Sequence, residues 1–203
     1  MRILAFSDLH RDLEQAANLV EMSRQADVVI GAGDFASVHQ GLDETIAALS
    51  AIEAPAVLVP GNNETHGDLV AAAASWPSAR VLHGEATEIE GQEFFGLGAG
   101  IPTTPWDWSF DLDEQQAGEA LESLPADAVL VVHSPPKGHC DATSEGLHLG
   151  STAILAAIER RQPKLAVCGH IHEAWGQTST IDVTEVANLG PSGRFFDLDQ
   201  PTG

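Results

Sequence analysis

The chain has 203 residues, 43% of them hydrophobic, which is enough for one sizeable domain with a filled core and argues against global disorder. Thirty Asp and Glu against nine Lys and Arg leave a formal net charge of −21, a field that repels nucleic acid and anionic membrane surfaces. No apolar run approaches the roughly 20 residues that cross a bilayer. Met1–Phe6 runs into Ser7-Asp8-Leu9-His10 too soon for a signal-peptide core, so a cytoplasmic protein is expected. A surface this acidic, with only Lys137 and Lys164 as lysines, also fits adaptation to high salt, beside the simpler reading of an acidic soluble protein. Two cysteines are too few for a disulfide framework; Cys168 sits in an apolar run and Cys140 in a loop, and both are expected to be reduced thiols without a role.

In chain order, short apolar runs alternate with amphipathic helices. Arg2–Ser7 reads as a buried strand, followed by a helix over about Asp12–Gln25. Asp27–Ala32 is the second strand, Leu42–Glu53 the second helix, and Ala56–Val59 the third strand, ended by Pro60-Gly61. A short helix follows over about Gly67–Ser75. Val81–His83, Ala86–Ile89 and Glu93–Gly98 are short runs separated by glycine, the pattern of an antiparallel meander. Ala99–Leu112 is a loop carrying Pro102, Pro105, Trp106 and Trp108. A helix over about Asp113–Leu124 leads back to a strand at Ala128–Val132. His133–Gly150 has little regular pattern, then a helix at Thr152–Arg161 precedes a strand at Leu165–Cys168. Three last strands are expected at about Ala174–Thr178, Asp182–Ala187 and Arg194–Leu198. No repeat or linker divides the chain, so one domain over 1–203 is expected, α/β at first and β-rich later.

Five of the apolar runs end in metal-ligand types: Asp8-Leu9-His10, Gly33-Asp34, Gly61-Asn62-Asn63-Glu64, His133, and Gly169-His170-Ile171-His172. Ligands of open α/β sheets gather beyond the carboxyl ends of parallel strands, so residues far apart in sequence are delivered to one edge. From an extended segment Asp8 and His10 can point the same way, as can His170 and His172. Carboxylate mixed with imidazole suits Mn, Fe or Zn and does not favour Ca, with Mg or Ni as further candidates. An isolated Asp-x-His or Gly-Asp is commonplace; all five at strand ends are not.

The ordered blocks Asp-x-His, Gly-Asp, Gly-Asn, His and Gly-His-x-His resemble those of the calcineurin-like metallophosphoesterase superfamily. The likeness runs from Asp8 to Asn188-Leu189-Gly190. It is closest to small metallophosphoesterase-domain proteins at His133-Ser134-Pro135-Pro136-Lys137-Gly138 and from Pro163-Lys164-Leu165 to Gly169-His170-Ile171-His172-Glu173. The resemblance implies an α-β-β-α sandwich, two packed mixed sheets with helices outside. It implies one divalent ion on Asp8, His10 and His172, a second on Asn62, His133 and His170, and Asp34 bridging both. A hydroxide shared by the two ions would then attack a small-molecule phosphoester in line with its leaving group.

One position departs from that pattern. Many family members have His after Gly-Asn, where it contacts phosphate and assists the leaving group; here the residue is Asn63. An amide donates a hydrogen bond but transfers no proton, so diesters or good leaving groups are expected to be preferred. His148, or His66, is the candidate to supply the missing acid. Trp106 and Trp108 would form an apolar wall for a substrate base or aryl group, or simply pack their loop. His39 and His83 read more simply as surface or strand-end residues, and His139 lies with His148 in the long loop between two ligand strands, less suited than His148 to line the site. Glu64 reads as a helix support, and Asp107, Asp111, Asp113 and Glu114 as a solvated face with a helix N-cap. The alternatives are a scaffold of the same fold without catalysis, which usually lacks ligands, and a nuclease, which needs a basic track absent here. A Ser/Thr protein phosphatase would need a longer chain.

Overall fold

Runs such as Ile3-Leu4-Ala5-Phe6 and Val129-Leu130-Val131-Val132 are apolar at every position, the mark of strands covered on both faces. A computed structural model describes residues 1–198; the last five residues of the expected domain lie outside the described residues. Strands β1 (Arg2–Phe6), β2 (Val28–Gly31), β3 (Ala56–Leu58) and β4 (Ala79–Val81) pair in parallel in that order, and β11 (Arg194–Asp197) lies antiparallel along β1. The second sheet runs β5 (Glu85–Ile89), β6 (Gln92–Leu97), β7 (Val129–Val132), β8 (Leu165–Cys168), β10 (Thr184–Asn188), β9 (Thr178–Ile181). Its central four strands are parallel and its two edges antiparallel.

The two-residue period of a strand then sorts the side chains into layers. Ile3, Ala5, Val28 and Ile30 of the first sheet meet Phe94, Val129, Val131 and Val167 of the second in a core between the sheets. Their neighbours Leu4, Phe6 and Val29 face outward onto α1 (Leu13–Ser23), α2 (Leu42–Leu49) and α3 (His66–Ala73) through Leu19, Ile46 and Leu69. Phe95, Leu97 and Leu130 likewise pack on α4 (Glu114–Ala120) and α5 (Thr152–Arg161) through Ala117, Ile154 and Ile158. The result is the four-layer α-β-β-α sandwich that the resemblance implies. No helix among the described residues is long and apolar enough to cross a membrane.

The chain departs from the expected elements in two places. Only Glu85–Ile89 and Gln92–Leu97 form an antiparallel hairpin; β4 belongs to the other sheet, parallel to β3. The crossing is short: Leu82 N donates to Leu58 O in the first sheet, and Gly84 N, at φ 81, donates to Gly96 O in the second. Local apolar pattern carries no information about which sheet a strand joins. After β8, His172–Ala174 is a 3₁₀ turn rather than the start of a strand, and pairing begins only at Thr178, beyond Gly176 at φ 78.

Candidate metal centre

The carboxyl ends of β1, β2, β3, β7 and β8 open onto one edge of the sandwich, and there the backbone turns sharply. Asp8, His10, Arg11, Asp34 and His170 all have positive φ, at 54°, 45°, 71°, 58° and 68°. Asp8 and His10 are therefore left-handed on either side of Leu9, where an extended segment was expected. Such residues cost on the order of 1 kcal/mol or more each and persist because their surroundings hold them. Asp8 N donates to Gly33 O (2.9 Å), His10 N to Asp34 O (2.9 Å) and Arg11 N to Phe35 O (3.1 Å), so the loop after β1 is zipped to the loop after β2. At Gly33, φ 91, a Cβ would lie 2.6 Å from both Gly61 Cα and His133 Nδ1, so only glycine allows the strand ends to close together.

Two groups of ligand-type side chains result: Asp8, His10 and His172, and Asp34, His133 and His170, with donor atoms within 4.8 Å of one another in each. Asn62 Oδ1 joins the second group, 3.3 Å from His133 Nε2 and 3.1 Å from His170 Nδ1. Asp34 lies between them, its Oδ1 3.5 Å from His133 Nε2 and its Oδ2 3.5 Å from His10 Nε2. His10 Nε2 and His172 Nε2 are 3.2 Å apart. Asp8, His10, Asp34, Asn62, His133, His170 and His172 thus lie together in one cluster.

Outer partners aim these atoms inward. His133 Nδ1 is 2.8 Å from Ala32 O and His10 Nδ1 3.2 Å from Ala36 O. A carbonyl only accepts, so each Nδ1 carries a proton and Nε2 faces the cluster. Asn62 Nδ2 donates to Ser109 Oγ (2.9 Å), which donates to Asp111 Oδ1 (2.6 Å), and Asp111 Oδ2 accepts from Thr104 N. That relay turns Asn62 Oδ1 toward the imidazoles. Asp8 accepts from Ser7 Oγ and from Trp175 Nε1 (3.0 Å) on Oδ2, and from His170 N (3.1 Å) on Oδ1. Asn63 holds the central carboxylate: its backbone N donates to Asp34 Oδ1 (2.9 Å) and its Nδ2 to Asp34 Oδ2 (2.7 Å).

Glu64, expected to support a helix, instead ties two loops together. Buried, it accepts from Gly61 N (2.7 Å), Asp34 N (2.9 Å) and Ala36 N (3.0 Å), while Thr65 caps α3. Burial, and after it the charge of Asp34, push Glu64 up to about 7 against those backbone donors.

The electrostatics fit a cation. Burial acts to raise Asp34, but the positive charge and hydrogen bond of His133, then His10, hold its carboxyl well below the usual range. Burial would lower His133, yet Asp34 lifts it to about 9. A proton on His133 Nε2 thus partly offsets a cluster made of acceptors: carboxylate oxygens, an amide oxygen and ring nitrogens. A divalent ion would displace that proton and satisfy the same atoms. Burial, then the charge of His133, bring His170 down to about 3, and burial also lowers His172, which keeps both imidazoles neutral as ligands must be.

A cavity of about 510 Å³ opens over the cluster, with Asn63, Trp106, Trp108 and Leu149 among its walls. His148 is not among the lining residues: it is exposed, with Nδ1 2.6 Å from Asp141 Oδ1. His66 also stands apart, stacked on His83 at 5.3 Å. His39 Nε2 is 2.6 Å from Trp108 O, and His139 Nδ1 is 3.2 Å from Ser179 Oγ. Cys140 and Cys168 are buried free thiols, both raised by burial. Asp113 caps α4 in a capping box with Gln116, whereas Asp111, read as solvated face or cap, belongs to the relay behind Asn62. Ser7, Ser109 and Trp175 have no spacing that singles them out in sequence; only Glu64, next to Gly61-Asn62-Asn63, had a positional signal.

Residues 1–202 match the family model described as Calcineurin-like phosphoesterase superfamily domain. The chain is 36% identical over 129 residues to a UPF0046 protein of Caenorhabditis elegans, covering 60% of this chain and 32% of that one. It is 37% identical over 115 residues to the human Metallophosphoesterase domain-containing protein 1, covering 51% of this chain and 35% of that one. The chain therefore spans about a third of the length of these curated relatives. Among solved structures, TT1561 of Thermus thermophilus superposes with a TM-score of 0.76 at 20% identity, over 94% of this chain and 90% of that one. A dimetal phosphatase from Danio rerio does so at 0.63 and 14% identity, over 94% and 88%, so the fold is shared. With the match running from the first residue to the last but one, the chain belongs to the calcineurin-like phosphoesterase superfamily.

Proposed function

We propose that this chain is a phosphodiesterase that uses two divalent ions, with Mn, Fe or Zn favoured over Mg or Ni, to hydrolyse a small-molecule phosphoester. The observation that carries it is Asp34, which turns one carboxylate oxygen toward each of the two ligand-type groups. Asp8, His10 and His172 would hold one ion, Asn62, His133 and His170 the other, with Asp34 shared. Ions held by these residues would supply an acidified water as nucleophile and would offset charge on the phosphoryl oxygens.

The chain's own residues set the limits of the chemistry. Asn63 spends its amide on the central carboxylate, accepting from Val38 N (2.8 Å) while donating to Asp34. It has no proton to transfer, and neither His148 nor His66 is among the residues lining the cavity. With no proton supplied by Asn63, His148 or His66, esters with good leaving groups are favoured, and the proposal extends this preference to diesters. The charge of −21 supports a small substrate over nucleic acid, and a cytoplasmic setting remains part of the proposal.

The test is a panel with Mn, Zn and Mg: bis-p-nitrophenyl phosphate against an alkyl phosphomonoester, after metal analysis of the purified protein. Bound metal and a kcat/KM at least tenfold higher on the diester are expected. Equal kcat/KM on the two would refute the diester preference; no metal and no turnover would refute the hydrolase.

A further inference from the structure

Beyond the metal cluster the cavity changes character. Its lining also includes Pro102, Pro105, Trp106, Trp108 and Leu149, interspersed with Thr103, Thr104 and Thr143, and no Lys or Arg lines it among the described residues. Trp106 and Trp108 stack with ring centroids 5.5 Å apart and planes at 11°. One face of Trp106 is thus against Trp108, yet the residue is 50% exposed. An exposed indole fixed beside a cavity has a flat apolar surface available for a ligand.

The loop bearing the indoles is tied to the metal cluster. Phe110 N donates to Asn62 O (3.0 Å), Gly100 N to Phe110 O (2.9 Å) and Ser109 N to Trp106 O (3.2 Å). His39 Nε2, 2.6 Å from Trp108 O, fastens the same loop from the side of Asp34. The distance from cluster to indole is therefore set before any ligand arrives, and little ordering cost falls on binding.

We infer that the substrate carries a single phosphoryl group at the Asp34 cluster, joined to a planar aromatic group that stacks on Trp106. This rests on the phosphoester reading above and specifies its substrate. A second phosphate on the organic arm would meet no cationic side chain in the wall, only Glu173. A flat ring matches the indole face, and a saturated ring of the same size does not.

Binding can be measured without turnover. Calorimetry on the Mn-loaded protein would compare methyl-, cyclohexyl- and phenylphosphonate, each of which presents one phosphoryl group on a bond that cannot be hydrolysed. Phenylphosphonate should bind about tenfold more tightly than methylphosphonate, with cyclohexylphosphonate nearer to methyl. Trp106→Ala should raise the Kd of phenylphosphonate about 5- to 10-fold, within what a stacked aromatic contributes, and leave methylphosphonate unchanged. Trp106→Phe should keep most of the phenyl affinity. Equal Kd values for phenyl and cyclohexyl, or equal weakening of all three ligands by Trp106→Ala, would overturn the stacking proposal alone. Absence of any methylphosphonate binding would instead overturn the phosphoester reading, and the inference with it.

Discussion

Ser109→Ala removes one hydroxyl that touches no proposed substrate, and its effect follows from the relay behind Asn62. Asn62 Nδ2 donates to Ser109 Oγ at 2.9 Å, and that bond decides which end of the amide faces His133 and His170. Without it the amide is free to turn, presenting a donor where a ligand oxygen is needed. One neutral hydrogen bond contributes about 0.5–1.5 kcal/mol, and 1.4 kcal/mol is a factor of ten. Binding at the Asn62, His133 and His170 group should therefore weaken about 3- to 10-fold, at the low end of what outer partners of metal ligands usually contribute. The Asp8, His10 and His172 group shares none of this relay and should keep its affinity. Calorimetric titration of chelator-stripped protein with Mn, fitted to two sites, reads both values, and Ser109→Thr should restore the weaker one. Unchanged binding at both sites, or equal weakening of both, would show that Ser109 does not orient the amide.

Three other outcomes are expected. Mn at about a hundred times its Kd should stabilise the fold by about 2.7 kcal/mol, which for a chain of this size raises Tm by about 5–10 °C; EDTA should reverse the shift in a thermal scan. Glu114 accepts from Ser151 Oγ, Thr152 N and Ala153 N at the start of α5, and these donors draw its carboxyl below the usual range although burial opposes them. Its stabilisation is present above the ordinary carboxylate pKa and lost as pH falls through the lowered one, so, allowing for its partial exposure, Glu114→Ala should cost about 1 kcal/mol at pH 7 by urea denaturation and less in acid. His83 is pushed down to about 4 by burial and then by His66, so its neutral form stabilises the fold above pH 6.5, an advantage lost as pH falls toward 4. Allowing for its partial exposure, urea denaturation at pH 7 and 4.5 should show His83→Gln losing about 1–2 kcal/mol less than the parent chain over that range.

The ligand-type residues were legible because each follows an apolar run, and parallel strands deliver their carboxyl ends to one edge. Asp34 and His133 are 99 positions apart by number, yet their place after β2 and β7 is enough to bring them together. The residues that orient them were not legible. Ser109 and Asp111 lie in a loop without period, Trp175 in a turn that read as the start of a strand, and Ser7 looked like the last residue of β1. Their roles depend on loop paths, which local propensity does not encode. The same holds for β4: Ala79–Val81 is too short to declare its sheet, and its parallel register with β3, flanked by Ala56 N donating to Ser78 O and Leu82 N to Leu58 O, commits it to the first. His148, drawn toward the site by its position between ligand strands, spends its ring on Asp141 instead.

The two sheets meet through Ile3, Val28, Val129 and Val167, and each sheet contributes strand ends to the same cluster. Neither half of the sandwich holds a complete set: β1, β2 and β3 bring Asp8, His10, Asp34 and Asn62, while β7 and β8 bring His133, His170 and His172. Metal affinity is therefore a gauge of how the sheets are docked. A core substitution such as Val131→Ala, buried between the sheets and distant in sequence from every ligand-type residue but His133, would be felt at the cluster as a small change of spacing.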